Sequence, residues 1–147
     1  MRPRLLDPRG PIALVCLLLA ACSTLQAYEG PARPDPQVAR LSPAIMPMRQ
    51  ILIQSFDGQS LGPLHDRVEM LPGMHKLEAI VTLKSRKRQL YFVHTLQFFA
   101  RPGREYVLYA EFDLYGPRTF IVDQQDGAVV AEEVTRPAEP AGWANRP

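Results

Sequence analysis

Apolar and polar residues alternate with a period of two in several stretches of this chain, and no stretch of useful length repeats with the helical period. Leu77, Ala79, Val81 and Leu83 alternate with Glu78, Ile80, Thr82 and Lys84. Successive side chains of a strand point to opposite faces, so this pattern reads as a half-buried strand. Residues 90–99 are rich in aromatic and β-branched side chains, with Leu90, Phe92, Leu96 and Phe98 on one face and His94 interrupting it. Tyr106, Leu108, Ala110 and Phe112 form a third alternating face. Shorter candidates are residues 51–54, residues 64–71 with Val68 and Met70 on one face, a strand opening at Phe120 and Val122, and residues 128–134. Between them stand turn residues: Asp57-Gly58, Pro72-Gly73, Ser85-Arg86-Lys87-Arg88, Arg101-Pro102-Gly103, Tyr115-Gly116-Pro117 and Asp126-Gly127. Links this short imply antiparallel neighbours, because parallel strands need long crossovers. The expected fold is all-β: a small antiparallel β-sandwich or open barrel of about six or seven strands.

Size narrows the function classes. A chain of 147 residues allows one ordinary domain and excludes a TIM barrel or a full dinucleotide-binding oxidoreductase. A hydrophobic content of 46% argues against global disorder. A net charge of +2 leaves no strong electrostatic footprint for nucleic acid.

The N-terminus reads as an address. Arg2, Arg4 and Arg9 stand against a single Asp7, and residues 12–21 form an uncharged apolar run. That run is too short for a membrane span, which needs about 20 residues. A basic stretch, a short apolar stretch and small residues at its end make a secretory signal. Leu19-Ala20-Ala21-Cys22 resembles the lipobox of bacterial lipoproteins. The resemblance implies cleavage before Cys22 and acylation of that cysteine, and two or more acyl chains anchor a protein stably. The alternative is an ordinary signal peptide cut near Ala21 or Ala27. Ser23, rather than Asp, follows the cysteine, which by resemblance to enterobacterial sorting implies the outer membrane, with the domain on the periplasmic face. Cys16 lies in the removed segment, so a mature acylated chain has no free thiol, no disulfide and no cysteine nucleophile. The net charge leaves with the signal: 17 basic side chains less three, and 15 acidic less one, is 14 of each.

Four parts are expected: a signal peptide over 1–21, an acylated Cys22 with a Pro-rich tether to 48, a β-sandwich domain over 49–134, and a flexible tail over 135–147 that carries Trp143. Gly30, Pro31, Pro34, Pro36, Pro43 and Pro47 punctuate the tether, and proline removes a backbone donor and blocks helix and ladder alike. Val38, Ala39 and Leu41 are its mildly apolar residues, placed to pack on the domain as a short turn, so the segment reads as a spacer whose few apolar side chains cover the sheet, or else as a docking segment. Tyr28-Glu29-Gly30-Pro31 with Arg33-Pro34 resembles the start of many small proteobacterial lipoproteins, written Y-x-G-x-x-R-P. Met70-Leu71-Pro72-Gly73-Met74-His75-Lys76-Leu77 and Ala100-Arg101-Pro102-Gly103-Arg104-Glu105-Tyr106-Val107 share a Pro-Gly turn feeding a strand. Residues 68–83 resemble the turn-and-strand form of PEGA-type surface domains, found also in transthyretin-like sandwiches of lipoproteins. That resemblance implies a fold and a surface location, and it carries no catalytic residues.

Candidate chemistry is sparse. His65, His75 and His94 fall in no HxH, HxxxH or HExxH spacing, so no metal site is expected, although His75 and His94 are placed to meet across a hairpin. No serine lies in GxSxG or SxxK. Glu111 and Asp113 share a strand face, and Glu132 and Glu133 are adjacent, but both pairs read equally as solvated outer faces. Asp57-Gly58, Asp123 and Asp126-Gly127 lack the spacing of a calcium loop. The strongest charge cluster is Lys84, Arg86, Lys87 and Arg88, a candidate contact for anionic lipid headgroups or envelope polymers, or else a solvated hairpin tip. No cofactor and no catalytic residue is expected. The leading expectation is a non-enzymatic binding or assembly module of the cell envelope, held to the membrane by its lipid and using the sheet face or the basic turn toward an envelope protein or an anionic polymer. The rivals are a periplasmic hydrolase using Glu111 and Asp113 or a histidine, and a purely structural envelope protein.

Overall fold

The alternation at Leu77, Ala79 and Val81 becomes a twelve-residue strand whose three odd-numbered apolar side chains are fully buried. The structure, a computed structural model, describes residues 23–62, 65–84, 89–113 and 116–134. These form β1 (Ser23–Gln26), β2 (Ala39–Pro43), β3 (Arg49–Phe56), β4 (Gln59–Ser60), β5 (His65–Met70), β6 (Gly73–Lys84), β7 (Gln89–Ala100), β8 (Glu105–Asp113), β9 (Gly116–Asp123) and β10 (Val129–Val134). A single 3-10 turn, Asp35–Gln37, is the only helical piece among the described residues. Six strands form one sheet in the order β1-β5-β2-β8-β9-β10, and four form a second in the order β4-β3-β6-β7. The sheets share one core. Leu41, Val68, Met70, Tyr106, Leu108 and Ile121 of the first meet Ile53, Phe56, Leu77, Val81, Leu96 and Phe98 of the second. The chain is an all-β sandwich, not a closed barrel, with more strands than the six or seven expected.

The main difference from the sequence expectation lies in residues 23–48. Two strands of the larger sheet come from the segment read as a tether. β2 sits between β5 and β8, and Val38, Ala39 and Leu41 are buried in the core. The prolines do not prevent this, because Pro36 precedes the strand and Pro43 is its last residue. Between them Ala39 and Leu41 alternate with Arg40 and Ser42, which is too short a period-two signal to stand out. β2 also runs parallel to β8, and β1 parallel to β5. The antiparallel expectation rested on short links, which constrain only strands adjacent in sequence. Several strands and connections intervene between β2 and β8, so the long-crossover requirement is met.

The Y-x-G-x-x-R-P segment folds as a clasp on β5. Tyr28 Oη donates to Glu69 Oε1 at 2.6 Å and accepts from the Arg33 amide at 3.1 Å. Gly30 supplies a backbone φ of 100°, and Gln26 Nε2 donates to the carbonyls of Tyr28 and Gly30. Arg40 adds a 3.2 Å contact to the same Glu69 carboxylate.

A second difference concerns β9, which opens at Gly116 rather than at Phe120 and buries Pro117, Thr119, Ile121 and Asp123. Register decides this: Ile121 pairs with buried Leu108 and Thr119 with buried Ala110. Phe120 is left outside, stacked on Tyr109 with ring centroids 5.6 Å apart. On β7 the inward face runs from Phe92 through buried His94, Leu96 and Phe98, while Leu90 at the strand start is exposed. The Asp57-Gly58 hairpin forms as read, with φ of 48° and 79° at its two central residues.

Candidate functional site

The β6–β7 pair sets the first candidate surface. Because its inner face takes Leu77, Ala79, Val81, Leu96 and Phe98, the two-residue period turns the intervening side chains to the outer face, where all but buried Thr82 are at least partly exposed. Met74 pairs with Phe99, Ile80 with Val93, and Thr82 with Tyr91. Met74, Tyr91, Val93 and Phe99 are 65%, 63%, 61% and 56% exposed. Between the two apolar ends lie polar pairs, Lys76 with Gln97 and Glu78 with Thr95. Glu78 accepts a hydrogen bond from Ser55 Oγ at 3.0 Å, which holds that carboxylate against the sheet. β7 ends its sheet, and an apolar edge strand of this length invites pairing with another chain. Here the Thr95 amide donates to the Glu133 carboxylate of β10, so an acidic side chain blocks the ladder at mid-strand.

The second candidate is a shallow groove of about 440 Å³ at the end of the sandwich where β1 begins. Its walls include Thr24, Ser42, Ile45, Met46, Arg49 and Arg67, and among the described residues none of the lining is acidic, histidine or cysteine. The Arg49 guanidinium donates to the Ala110 carbonyl at 3.2 Å and stands 5.5 Å over the Phe112 ring. The described lining therefore offers cations, hydroxyls and apolar surface.

The sequence-predicted chemistry is dispersed. His75 pairs with Phe98 and His94 with Ala79, so the two histidines are offset by four residues, about 13 Å along the strands at ~3.3 Å per residue. His75 stacks on Phe56 at 5.1 Å, with Nδ1 2.7 Å from Asp57 Oδ2 and Nε2 2.7 Å from the Leu71 carbonyl. Asp57 also accepts the Lys76 amide at 2.9 Å, so this cluster ties the first hairpin turn to β6. Burial pushes the His94 imidazole below its ordinary value, partly opposed by Glu133. Glu111 lies 3.8 Å from Arg118, which also forms a two-point contact with Glu132. That contact holds Glu132 below the usual carboxylate range. Asp123 is buried and accepts the Gln125 amide at 3.0 Å, while Asp126 accepts the Ala128 amide at 3.0 Å, so both cap the β9–β10 turn. Among the described residues, no three of His, Cys, Asp and Glu are grouped to hold a metal ion.

Lys84 is exposed at the end of β6, while Arg86, Lys87 and Arg88 of the basic cluster lie outside the described residues, as do Cys22 and Trp143. The outer face of β6 and β7 is not marked by any motif, because both faces of residues 90–99 carry apolar side chains. Their odd members Tyr91, Val93 and Phe99 were the available signal. Comparison with family models, with curated proteins and with solved structures finds no match.

Proposed function

We propose that this chain is a lipid-anchored protein of the bacterial envelope, acylated at Cys22 and held at the periplasmic face of the outer membrane. It works without catalysis, as a binding or assembly module. Its contact surface is the outer face of β6 and β7. The observation that carries this reading is the exposure of Met74, Tyr91, Val93 and Phe99 on one sheet face. Large apolar side chains exposed in two clusters on one sheet face, with polar pairs between them, mark a surface for association. The polar centre at Lys76, Glu78, Thr95 and Gln97 supplies hydrogen-bonding groups that select among partners. The partner expected is an envelope protein. Lys84, with Arg86, Lys87 and Arg88, adds attraction for any anionic surface beside it.

Two measurements test the reading. Labelled palmitate supplied to the producing cells is expected on the wild-type chain and absent from Cys22→Ser. A photo-crosslinking residue at Tyr91 is expected to yield one adduct of constant size in living cells. The double change Val93→Glu with Phe99→Glu is expected to abolish it. Failure to form an adduct, or an adduct indifferent to the double change, would refute the assigned surface.

A further inference from the structure

The described chain enters the fold at one end of the sandwich, and several observations converge there. β1 begins at Ser23, the residue after Cys22. It runs parallel to β5, and β5 runs antiparallel to β2, so the start of β1 lies toward the end where β2 finishes and residues 44–48 follow. Thr24 lines the same groove as Ile45, Arg49 and Arg67. Met46 and Arg49 form a bridge around Pro47-Met48, a tight turn in which Met48 adopts a φ of 60°. Ile45 is 103% exposed and Met48 68%.

Neither side chain stabilises the fold, and Met48 opposes it. A left-handed conformation is costly for a residue with a Cβ, and glycine would avoid that cost. A fully exposed isoleucine gains nothing from burial. Two large apolar side chains at the tip of one loop, one of them strained, have their use outside the fold.

We propose that this end of the sandwich is seated on the bilayer that holds acylated Cys22, with Ile45 and Met48 inserted at the boundary of headgroups and acyl chains. The inference rests on the anchor reading above. It follows from the loss of the expected spacer. Thr24 is two residues from Cys22, at most about 7 Å of extended chain, and it already lines the groove beside Ile45. An acylated Cys22 at headgroup level therefore leaves no room for the domain to stand away. Apolar side chains on such interfacial surfaces sit about 5–10 Å into the headgroup boundary. The Lys84 amide donates to the Met48 carbonyl at 3.1 Å, which brings the exposed end of β6 beside the loop. Lys84 and exposed Arg67 then face lipid phosphates. Asp66 and Asp113 hold strand positions at the same end, so charge alone does not select the bilayer and the apolar pair carries the argument.

The test uses the full chain, purified from membranes, with mass spectrometry reading acylation at Cys22. Single cysteines introduced as Ile45→Cys, Met48→Cys and Gln124→Cys carry a polarity-sensitive fluorophore. The proteins are reconstituted into vesicles of phosphatidylethanolamine and phosphatidylglycerol containing nitroxide-labelled lipid. Gln124 lies in the turn after β9, at the opposite end of the sandwich. The expected result is blue-shifted emission and several-fold quenching at positions 45 and 48, with neither at 124. Acylated protein with water-like emission at all three positions overturns the insertion and leaves the anchor standing. Absence of acylation at Cys22 overturns the anchor reading and this geometry with it. A blue shift without nitroxide quenching assigns the loop to a protein contact and overturns the bilayer. Circular dichroism of each variant verifies folding, which substitutions at these exposed loop positions are expected to preserve.

Discussion

Leu41→Ala measures whether the proline-rich N-terminal segment is part of the fold or a spacer outside it. Leu41 is fully buried in β2, paired with Val68 of β5 on one side and Tyr106 of β8 on the other. Replacing a buried leucine by alanine costs about 2–5 kcal/mol, the lost transfer energy plus the cavity left behind. Strands on both sides hold the backbone apart, so the site collapses poorly, and about 3 kcal/mol is expected. A small domain carries about 5–15 kcal/mol in total, so the variant remains folded in water. With a urea slope of about 1.5 kcal/mol/M, the unfolding midpoint falls by about 2 M. The assay is urea unfolding of the chain from Ser23, followed by far-ultraviolet circular dichroism. A solvated tether predicts a change within about 0.5 kcal/mol. A midpoint shifted by less than about 0.3 M at unchanged slope would refute the placement of β2 in the core. Ile45→Ala, at a fully exposed position, is the control and should leave the midpoint where it was.

Three further outcomes are expected. Asp57→Ala removes acceptors from the Lys76 amide and from His75 while retaining a left-handed residue, and should lower stability by about 2 kcal/mol, with Asp57→Asn recovering part of it, as read by thermal unfolding. Met48→Gly relieves the φ of 60° and should raise stability by about 1 kcal/mol in the same assay, while weakening fluorophore quenching at position 45 in vesicles. His94 titrates below its ordinary value of 6.5 because burial disfavours the imidazolium, so the unfolded state binds the proton first. Its contribution is therefore complete above that ordinary value and is lost as pH falls through the depressed folded value. His94→Gln should flatten the stability profile in that window, and a wild-type profile equally steep in the variant would assign the slope to other groups.

Strand existence was largely legible from periodicity, and strand partnership was not. β6, β7 and β8 stand out because each carries an inward apolar series long enough to show its period: Leu77 to Val81, Phe92 to Phe98, and Tyr106 to Ala110. β2 does not, because Ala39 and Leu41 are its only core residues and prolines flank them. β9 misleads, because its largest side chain, Phe120, faces out. Only the register with β8 decides that Ile121 and Thr119 face in. The exposed surface follows the same rule. Tyr91, Val93 and Phe99 were visible as β-prone residues, yet their exposure depends on which face of β7 the opposite sheet covers.

The proposed surfaces are distinct parts of one small sandwich. An end holding Ile45 and Met48 toward the bilayer leaves the β6–β7 face free to meet a partner alongside it. Three acids and one histidine take part in local structure: Glu69 in the Tyr28 clasp, Asp57 with His75 at the first hairpin, Asp123 in the β9–β10 turn.

The amino-acid sequence by itself determined the all-β class, the turns at Asp57-Gly58 and Pro72-Gly73, and the inward faces of the three longest strands, because these depend on residues adjacent in the chain. Only the tertiary structure decided that β2 runs parallel to β8, that Phe120 faces out, and that the expected spacer is a strand of the sheet. Those outcomes depend on pairing between residues distant in sequence, where a period of two seen over a few residues is compatible with many partners. Burial between two neighbouring strands selects one of them.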